Sequence, residues 1–475
     1  MRTMRAALGR PAHCVREARP SAAWRWVRRG VLWAAALLAI AAAGPAAAMM
    51  ARSCDDARVF SQSPVNVLLL PYTYAGTQEQ MARPLSEAAG RLGLLMEHDS
   101  LIEMTKFETI GVVNLVRTAG SRPCDSDRIW EALTGPQRDR SAGLRRGAAA
   151  VMMWGRIYEE GTTLYVQTYL RFGRAEVPER VERTVATSVG TATFVAQMPS
   201  QVVTLPPRRI TRDDIAAINR EFMRLAVVRD GPSEYARIVD RLPDLGAPEA
   251  SMRPFGYAVT EVRGDWVKVL PLEGGQPGWI RARADASTWP LRDRLPELHF
   301  LDAVVAYAQL RVAQEASGFP KPASASRLIN YARQSLGRYR EGTKEASPAA
   351  EALGHALLGT MLMLAAGDRP RLEDAQAEFD QSVRLVPYNA EARNLANVAG
   401  VLRCCSGPAR SSAAAGALMS SLLDAVSVDP ANANALGNLA AFHRLLDGWP
   451  DGVAAIGAAE VERQRTALKQ MPTLR

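Results

Sequence analysis

The chain has 475 residues, 58 lysines and arginines against 49 acids, and a formal charge of +9. Eight arginines and one glutamate in residues 1–30 supply +7 of that charge, so only +2 is left for the remainder. The balance excludes a polybasic nucleic-acid binder, and the length suggests about three domains.

The basic start is followed by the uncharged run Val31 to Met50 and the small-residue site Ala46 to Ala48. A basic segment, an apolar segment and an Ala-x-Ala site describe a secretory signal peptide over residues 1–48. The alternative is an uncleaved anchor helix, because twenty apolar residues just span a bilayer. In that case the chain would meet a membrane. Four cysteines follow the leader: Cys54, Cys124, Cys404 and Cys405. An exported chain meets oxidising conditions, which makes Cys54 and Cys124 candidates for a disulfide, with two thiols as the alternative. Adjacent Cys404 and Cys405 read as small apolar residues on a helix.

Residues 60–205 read as alternating strands and helices. The apolar run Val65 to Tyr72 ends at proline and suits a buried strand. Met81, Leu85, Ala88, Leu92 and Leu95 recur at steps of three and four, one face of a helix. Ala148 to Phe172 reads as a hairpin turning at Glu159-Glu160-Gly161, with Leu164, Val166, Leu170 and Phe172 on one face. Asp125 or Asp127 is placed to cap a helix running to Leu133. The opening "VNVLLLPY" and the later Gly147-Ala148, Val151, Gly155-Arg156-Ile157, Gly161, Leu164, Val166 and Leu170 resemble the amino-terminal domain of the TolB-like family. That resemblance implies a non-catalytic α/β domain in envelope assemblies.

Residues 222–290 read as short strands with Gly/Pro turns. Val267 and Val269 fall on one strand face, Trp266 and Lys268 on the other. Arg263-Gly264-Asp265 and Gly274-Gly275 supply turns. Val228-Arg229-Asp230-Gly231-Pro232-Ser233, Gly264-Asp265-Trp266-Val267-Lys268-Val269 and Gly278-Trp279-Ile280 resemble the bacterial SH3-like family. The resemblance implies a small β-barrel that directs extracytoplasmic proteins to the cell wall. The proline-rich stretch Pro243 to Pro254 departs from its pattern. Two roles stay open for Trp266 and Trp279, with Tyr257 beside them: barrel core, or an aromatic platform for a glycan or peptide. Trp266 is the better core candidate, and Gly278 leaves room for a ligand near Trp279.

Residues 295–470 read as helices only. "VPYNAEARNLANVAG" from Val386 parallels "VDPANANALGNLAAF" from Val428. With Leu358-Gly359, Ala375-x3-Phe379 and Pro387 these resemble tetratricopeptide repeats, which implies stacked helix pairs that bind peptides or proteins. The expected fold is therefore multidomain: an α/β domain, a small all-β SH3-like barrel and an all-α tetratricopeptide-like region.

No Gly-x-Ser-x-Gly, His-Glu-x-x-His, Walker or Gly-x-Gly-x-x-Gly motif occurs, and the four histidines after the leader are scattered. No catalytic, cofactor or metal residue is expected. The expected function is a non-catalytic cell-envelope adaptor in the periplasm. It would bind protein partners through the helices and peptidoglycan through the SH3-like part. The alternative is a peptidoglycan-associated enzyme, or its regulatory subunit, without a recognisable active-site motif. Terminal sequencing of the exported protein is expected to begin near Met49; an intact Met1 in cytosolic protein would refute export.

Overall fold

A computed structural model describes residues 48–470, apart from 54–63, 105–109, 117–124, 136–143, 242–255, 284–288 and several shorter stretches. The leader before Ala48, Cys54 and Cys124 lie outside the described residues. The fold is mixed, with β-structure in the amino-terminal and middle parts and helices in the carboxy-terminal part.

Strand β2 (Val65–Leu69) is buried along its whole length, as a continuous apolar run requires. It lies parallel to β4 (Ile110–Val116) on one side and to β5 (Ala149–Glu160) on the other. Short β3 (Thr73–Ala75) continues alongside β5. Strand β5 turns into β6 (Thr163–Arg174) as an unbroken antiparallel hairpin, and Leu164, Val166, Leu170 and Phe172 are all buried. Met152 and Met153 are core residues, while half-buried Trp154 stacks on Tyr169 at 5.7 Å. Helix α1 (Glu79–Met104) buries Leu85, Ala88, Leu92 and Leu95 in one apolar cluster. Helix α2 (Ser126–Thr134) buries Ile129 and Leu133 in a second cluster with Leu68. Asp125 caps it, accepting from the N–H groups of Asp127 and Arg128 at 3.0 Å.

Strand β1 (Ala48–Ser53) joins what the sequence divides. It runs parallel to β4 and antiparallel to β13 (Gly256–Arg263). Beyond β13 the sheet continues antiparallel through β14 (Trp266–Pro271), β15 (Gly278–Arg281), β11 (Val227–Arg229) and β12 (Ile238–Arg241). The boundary drawn between residues 205 and 222 therefore does not interrupt the sheet. Residues 47–475 form one compact unit. The last three residues of the apolar run, Ala48 to Met50, belong to strand β1. Cleavage after Ala48 would still leave Met49 and its partner Tyr257 in place.

Helix α3 (Arg212–Leu225) lies outside the elements expected from the sequence. Its signal is a capping box: Thr211 accepts from the Asp214 N–H, and Asp214 accepts from the Thr211 N–H. Ile215, Ile218, Phe222 and Leu225 then recur at helical spacing and are buried.

Residues 291–470 are helical. Helix α4 (Leu291–Arg294) leads into α5 (Glu297–Ser317), α6 (Pro322–Gly342), α7 (Pro348–Ala365), α8 (Arg369–Leu385), α9 (Ala390–Cys405), α10 (Ser412–Val428), α11 (Ala433–Asp447), α12 (Pro450–Ile456) and α13 (Ala458–Gln470). The repeat residues meet in space: a Cβ on Gly359 would come within 2.7 Å of the Phe379 ring. Among the described residues α7 is the one helix long and apolar enough to cross a membrane, and most of it is buried inside the fold. Cys404 and Cys405 are buried, but they are not two separate small residues as expected. They form a vicinal disulfide at the end of α9.

One hairpin lies apart from the main sheet. Strands β7 (Arg180–Thr187) and β8 (Gly190–Gln197) pair only with each other, and Phe194, Ala192 and Ala196 are fully buried. An edge strand exposes backbone groups that need partners. Here α9 and α11 supply them. The Val195 N–H donates to Asn438 Oδ1 at 2.7 Å, and the Val195 carbonyl accepts from Asn438 Nδ2 at 2.6 Å and Asn394 Nδ2 at 2.8 Å. Asn438 also donates to Asn394 at 2.6 Å. These asparagines are the ones in the repeated sequences, so that face of the helices is occupied by the chain's own strand.

Asn438→Ala is expected to cost about 2–3 kcal/mol, because the half-buried Val195 N–H and the buried Asn394 side chain each lose a partner. Urea unfolding should separate it from Asn434→Ala, whose partner is a Gln197 side chain and whose cost should stay below about 1 kcal/mol.

Candidate functional site

The sheet register puts the two tryptophans on one face. Residues directly opposite in an antiparallel pair share a face. One row reads Arg263, Trp266, Arg281 across β13, β14 and β15. The adjacent row reads Glu261, Lys268, Trp279, Arg229. Val267, Val269, Ile280 and Val228 form the opposite, buried face, as the alternation predicts. The backbone of Tyr257 lies opposite Pro271, outside both rows.

Burial reverses the expected roles. Trp279 is 4% exposed and Trp266 is half-buried. Two cations roof the Trp279 ring, Arg263 at 5.2 Å and Lys268 at 5.8 Å from its centroid. Arg281 lies 5.8 Å over Trp266. Each such contact is worth about 0.5–2 kcal/mol, more as water is excluded. Gly278 does not open space for a ligand: a Cβ there would meet Val228 at 2.5 Å and the Arg229 carbonyl at 2.6 Å. Its lack of a side chain lets β15 pack tightly on β11. The accessible part of the face is Trp266 with Arg263 and Lys268, which pair with Glu261 at 2.6 and 4.0 Å.

A second feature lies where α1, α3 and the segment after β15 meet. A cavity of about 360 Å3 is lined by Leu95, Leu225, Ala282, Trp289, Asp99, Glu221, Arg283 and Arg292, among others. Its polar side is an ion-pair network. Arg283 donates to Asp99 at 2.6 Å and to Glu103 at 2.5 Å. Arg292 donates to Asp99 at 2.6 Å and to Asp302 at 2.5 Å, and lies 3.2 Å from His299 Nδ1. Tyr331 donates to Glu103 at 2.9 Å. Trp289 Nε1 donates to Asp214 at 2.9 Å, tying the cavity wall to the cap of α3.

The acids dominate the local field. Burial alone would pull the Arg292 guanidinium down, yet Asp302 and Asp99 outweigh it and hold Arg292 above its ordinary range. Arg283 is raised in the same way by Asp99 and Glu103. Burial, reinforced by Asp302 and Glu103, pushes the Tyr331 hydroxyl up. Nothing in the sequence marks this network, since its members come from residues 99 to 331 and share no motif.

Other buried polar groups are engaged structurally. Glu179 accepts from Arg174 at 2.6 Å and Tyr307 at 2.8 Å, with Arg311 at 3.4 Å. Arg208 pairs with Glu297 at 2.7 Å. Among the described residues there is no group of three or more metal-ligating side chains. No protein-family model matches this chain, and no curated protein matches it.

His98, next to Asp99 on α1, is fully buried, and neither ring nitrogen has a hydrogen-bond partner among the described residues. Burial pushes its pKa down to about 4. The folded state therefore binds the proton less readily than the unfolded chain, so stability from this group is complete above about pH 6.5 and falls away toward pH 4. The parent chain is expected to lose on the order of 3 kcal/mol through it across that window. His98→Leu should remove that slope. Denaturant unfolding at pH 7.5 and 4.5 checks it; equal pH dependence in both proteins would refute the assignment.

Proposed function

We propose that this chain is a non-catalytic binding protein of the cell envelope, an adaptor that grips cell-wall polymer on the face of β13, β14 and β15. The observation that carries the reading is the accessible group Arg263, Trp266 and Lys268, backed by Trp279 and Arg281. Peptidoglycan presents sugar rings with apolar faces and peptide carboxylates. A tryptophan flanked by cations meets both, by stacking and by charge-assisted hydrogen bonds.

The likeness of residues 222–290 to the bacterial SH3-like family supports wall binding, and in this reading those strands correspond to its small barrel. The TolB-like likeness of residues 60–205 and the basic, apolar leader support an exported protein of the envelope. Residues 351–446 supply tetratricopeptide-like helices, a surface for protein partners. The face of α9 and α11 that bears Asn394 and Asn438 holds β8, so partners dock on other helical surfaces. Several buried charges, among them Glu179, Glu297 and Asp302, are held in ion pairs with arginines, which is a structural use of charge. Nucleic acid and cofactors have no part in this reading.

Purified full-length protein is expected to sediment with isolated peptidoglycan. Trp266→Ala should keep its melting profile and weaken wall binding roughly tenfold, about 1.4 kcal/mol. Trp279→Ala should instead cost about 3–5 kcal/mol of stability, as for other buried aromatic truncations. Failure of the parent protein to sediment would overturn the proposal.

A further inference from the structure

The side of the sheet that bears Trp266 continues as far as β5. Met152, Leu68, Val113 and Met50 stand beside one another on β5, β2, β4 and β1, and Met50 stands beside Gly256 on β13. Two residues further along β13, Ala258 lies opposite Leu270 on β14. Side chains alternate along a strand, so Trp154, Arg156 and Tyr158 of β5 lie on the same side of the sheet as Lys268 and Trp266 of β14. Helix α2 covers this side around Leu68 and Met152.

Beyond α2 the side carries rings and cations again. Trp154 stands opposite Tyr169, and Tyr158 opposite Tyr165. The Tyr158 and Tyr165 rings stack at 5.5 Å, much as Trp154 and Tyr169 do. All four residues are half-buried. Strands β9 (Val203–Thr204) and β10 (Arg208–Ile210) extend the sheet past β6, and β10 puts Arg209 opposite Tyr165. Arg156 lies 4.9 Å over the Tyr158 ring. Arg156 and Arg209 are exposed, and neither forms an ion pair among the described residues. Glu160, at the turn of the hairpin, brings one negative charge to the same side.

This is the chemistry of the β13–β15 face, with a difference in its cations. Arg263 and Lys268 pair with Glu261, whereas the donors of Arg156 and Arg209 are met by solvent. A carboxylate binds to them without first displacing one of the chain's own acids. Rings beside such guanidinium groups fit a partner with apolar faces and negative charge.

We infer that this part of β5, β6 and β10 is a second contact for wall polymer. Sugar rings rest on the two aromatic pairs, and peptide carboxylates meet Arg156 and Arg209. The inference rests on the wall-binding reading and adds a second contact to it. The two contacts are five strand positions apart, roughly 24 Å at the usual strand spacing. Sheet twist of about 20° per strand turns them in different directions, so they grip different stretches of the wall.

The test is calorimetric titration of the full-length protein with a soluble disaccharide–peptide fragment of peptidoglycan, followed by sedimentation with intact peptidoglycan. The expected stoichiometry is two fragments per chain. It should fall to one in the Arg156→Ala, Arg209→Ala double variant and to one in Trp266→Ala. Both arginines are exposed, so the double variant should keep its melting profile. The single changes Arg156→Gln and Arg209→Gln guard against misfolding, and each should weaken one of the two sites. On intact peptidoglycan the double variant should bind about tenfold more weakly, and its combination with Trp266→Ala about a hundredfold more weakly. Binding unaltered by the arginine changes, with loss in Trp266→Ala, would overturn this inference and leave the β13–β15 reading standing. Loss through the arginine changes with Trp266→Ala neutral would support this contact and refute the other. No binding of fragment or wall by the parent protein would overturn both.

Discussion

Arg292 is held between Asp99 and Asp302, two carboxylates that lie more than two hundred residues apart in the chain. A largely buried guanidinium is tolerable only if its charge is matched and its donors are used. Asp99 comes from α1, Asp302 from α5, and Arg283 and Tyr331 extend the same network to the end of β15 and to α6. Removing one member would leave the others charged and dry, at a cost of several kcal/mol. The network therefore obliges the α/β part, the antiparallel strands and the first helices to assemble together.

Two further devices act in the same direction. Strand β1 carries the backbone ladder from β4 to β13, so the parallel and antiparallel parts share one sheet. The β7–β8 hairpin presents Val195 to Asn394 and Asn438, which fastens residues just after β6 to the helices near the carboxy terminus. Each device satisfies backbone groups that would otherwise be buried without partners, a requirement stricter than the hydrophobic effect because it fixes direction as well as proximity.

This division of labour pairs Glu179, Glu297, Asp99 and Asp302 with arginines. Charges in the interior stabilise interfaces between elements. Charges on the β13–β15 face cover aromatic rings instead: Arg263 and Lys268 lie over Trp279 and Arg281 over Trp266. Pairing of long cationic side chains with rings buries their hydrocarbon stems while keeping the charged ends wet.

Periodicity and turn chemistry in the sequence alone determined most local structure. The apolar run at Val65, the three-four spacing from Leu85 to Leu95, the hairpin around Gly161, the alternation at Val267 and Val269 and the helices from residue 297 onward all depend on neighbours within one element. Helix α3 is legible too, through the capping pair Thr211 and Asp214. What only the tertiary structure decided depends on partners distant in the chain. Trp266 and Trp279 each stand near a glycine turn and before an apolar residue, and the register leaves Trp266 half-open and seats Trp279 under two cations. The asparagines of the repeated segments look like helix-forming positions with a polar side chain, and only folding aims them at Val195. The Arg292 network has no sequence signature at all, because buried charges are matched by position in space, and spacing along the chain carries no information about which carboxylate will meet which arginine.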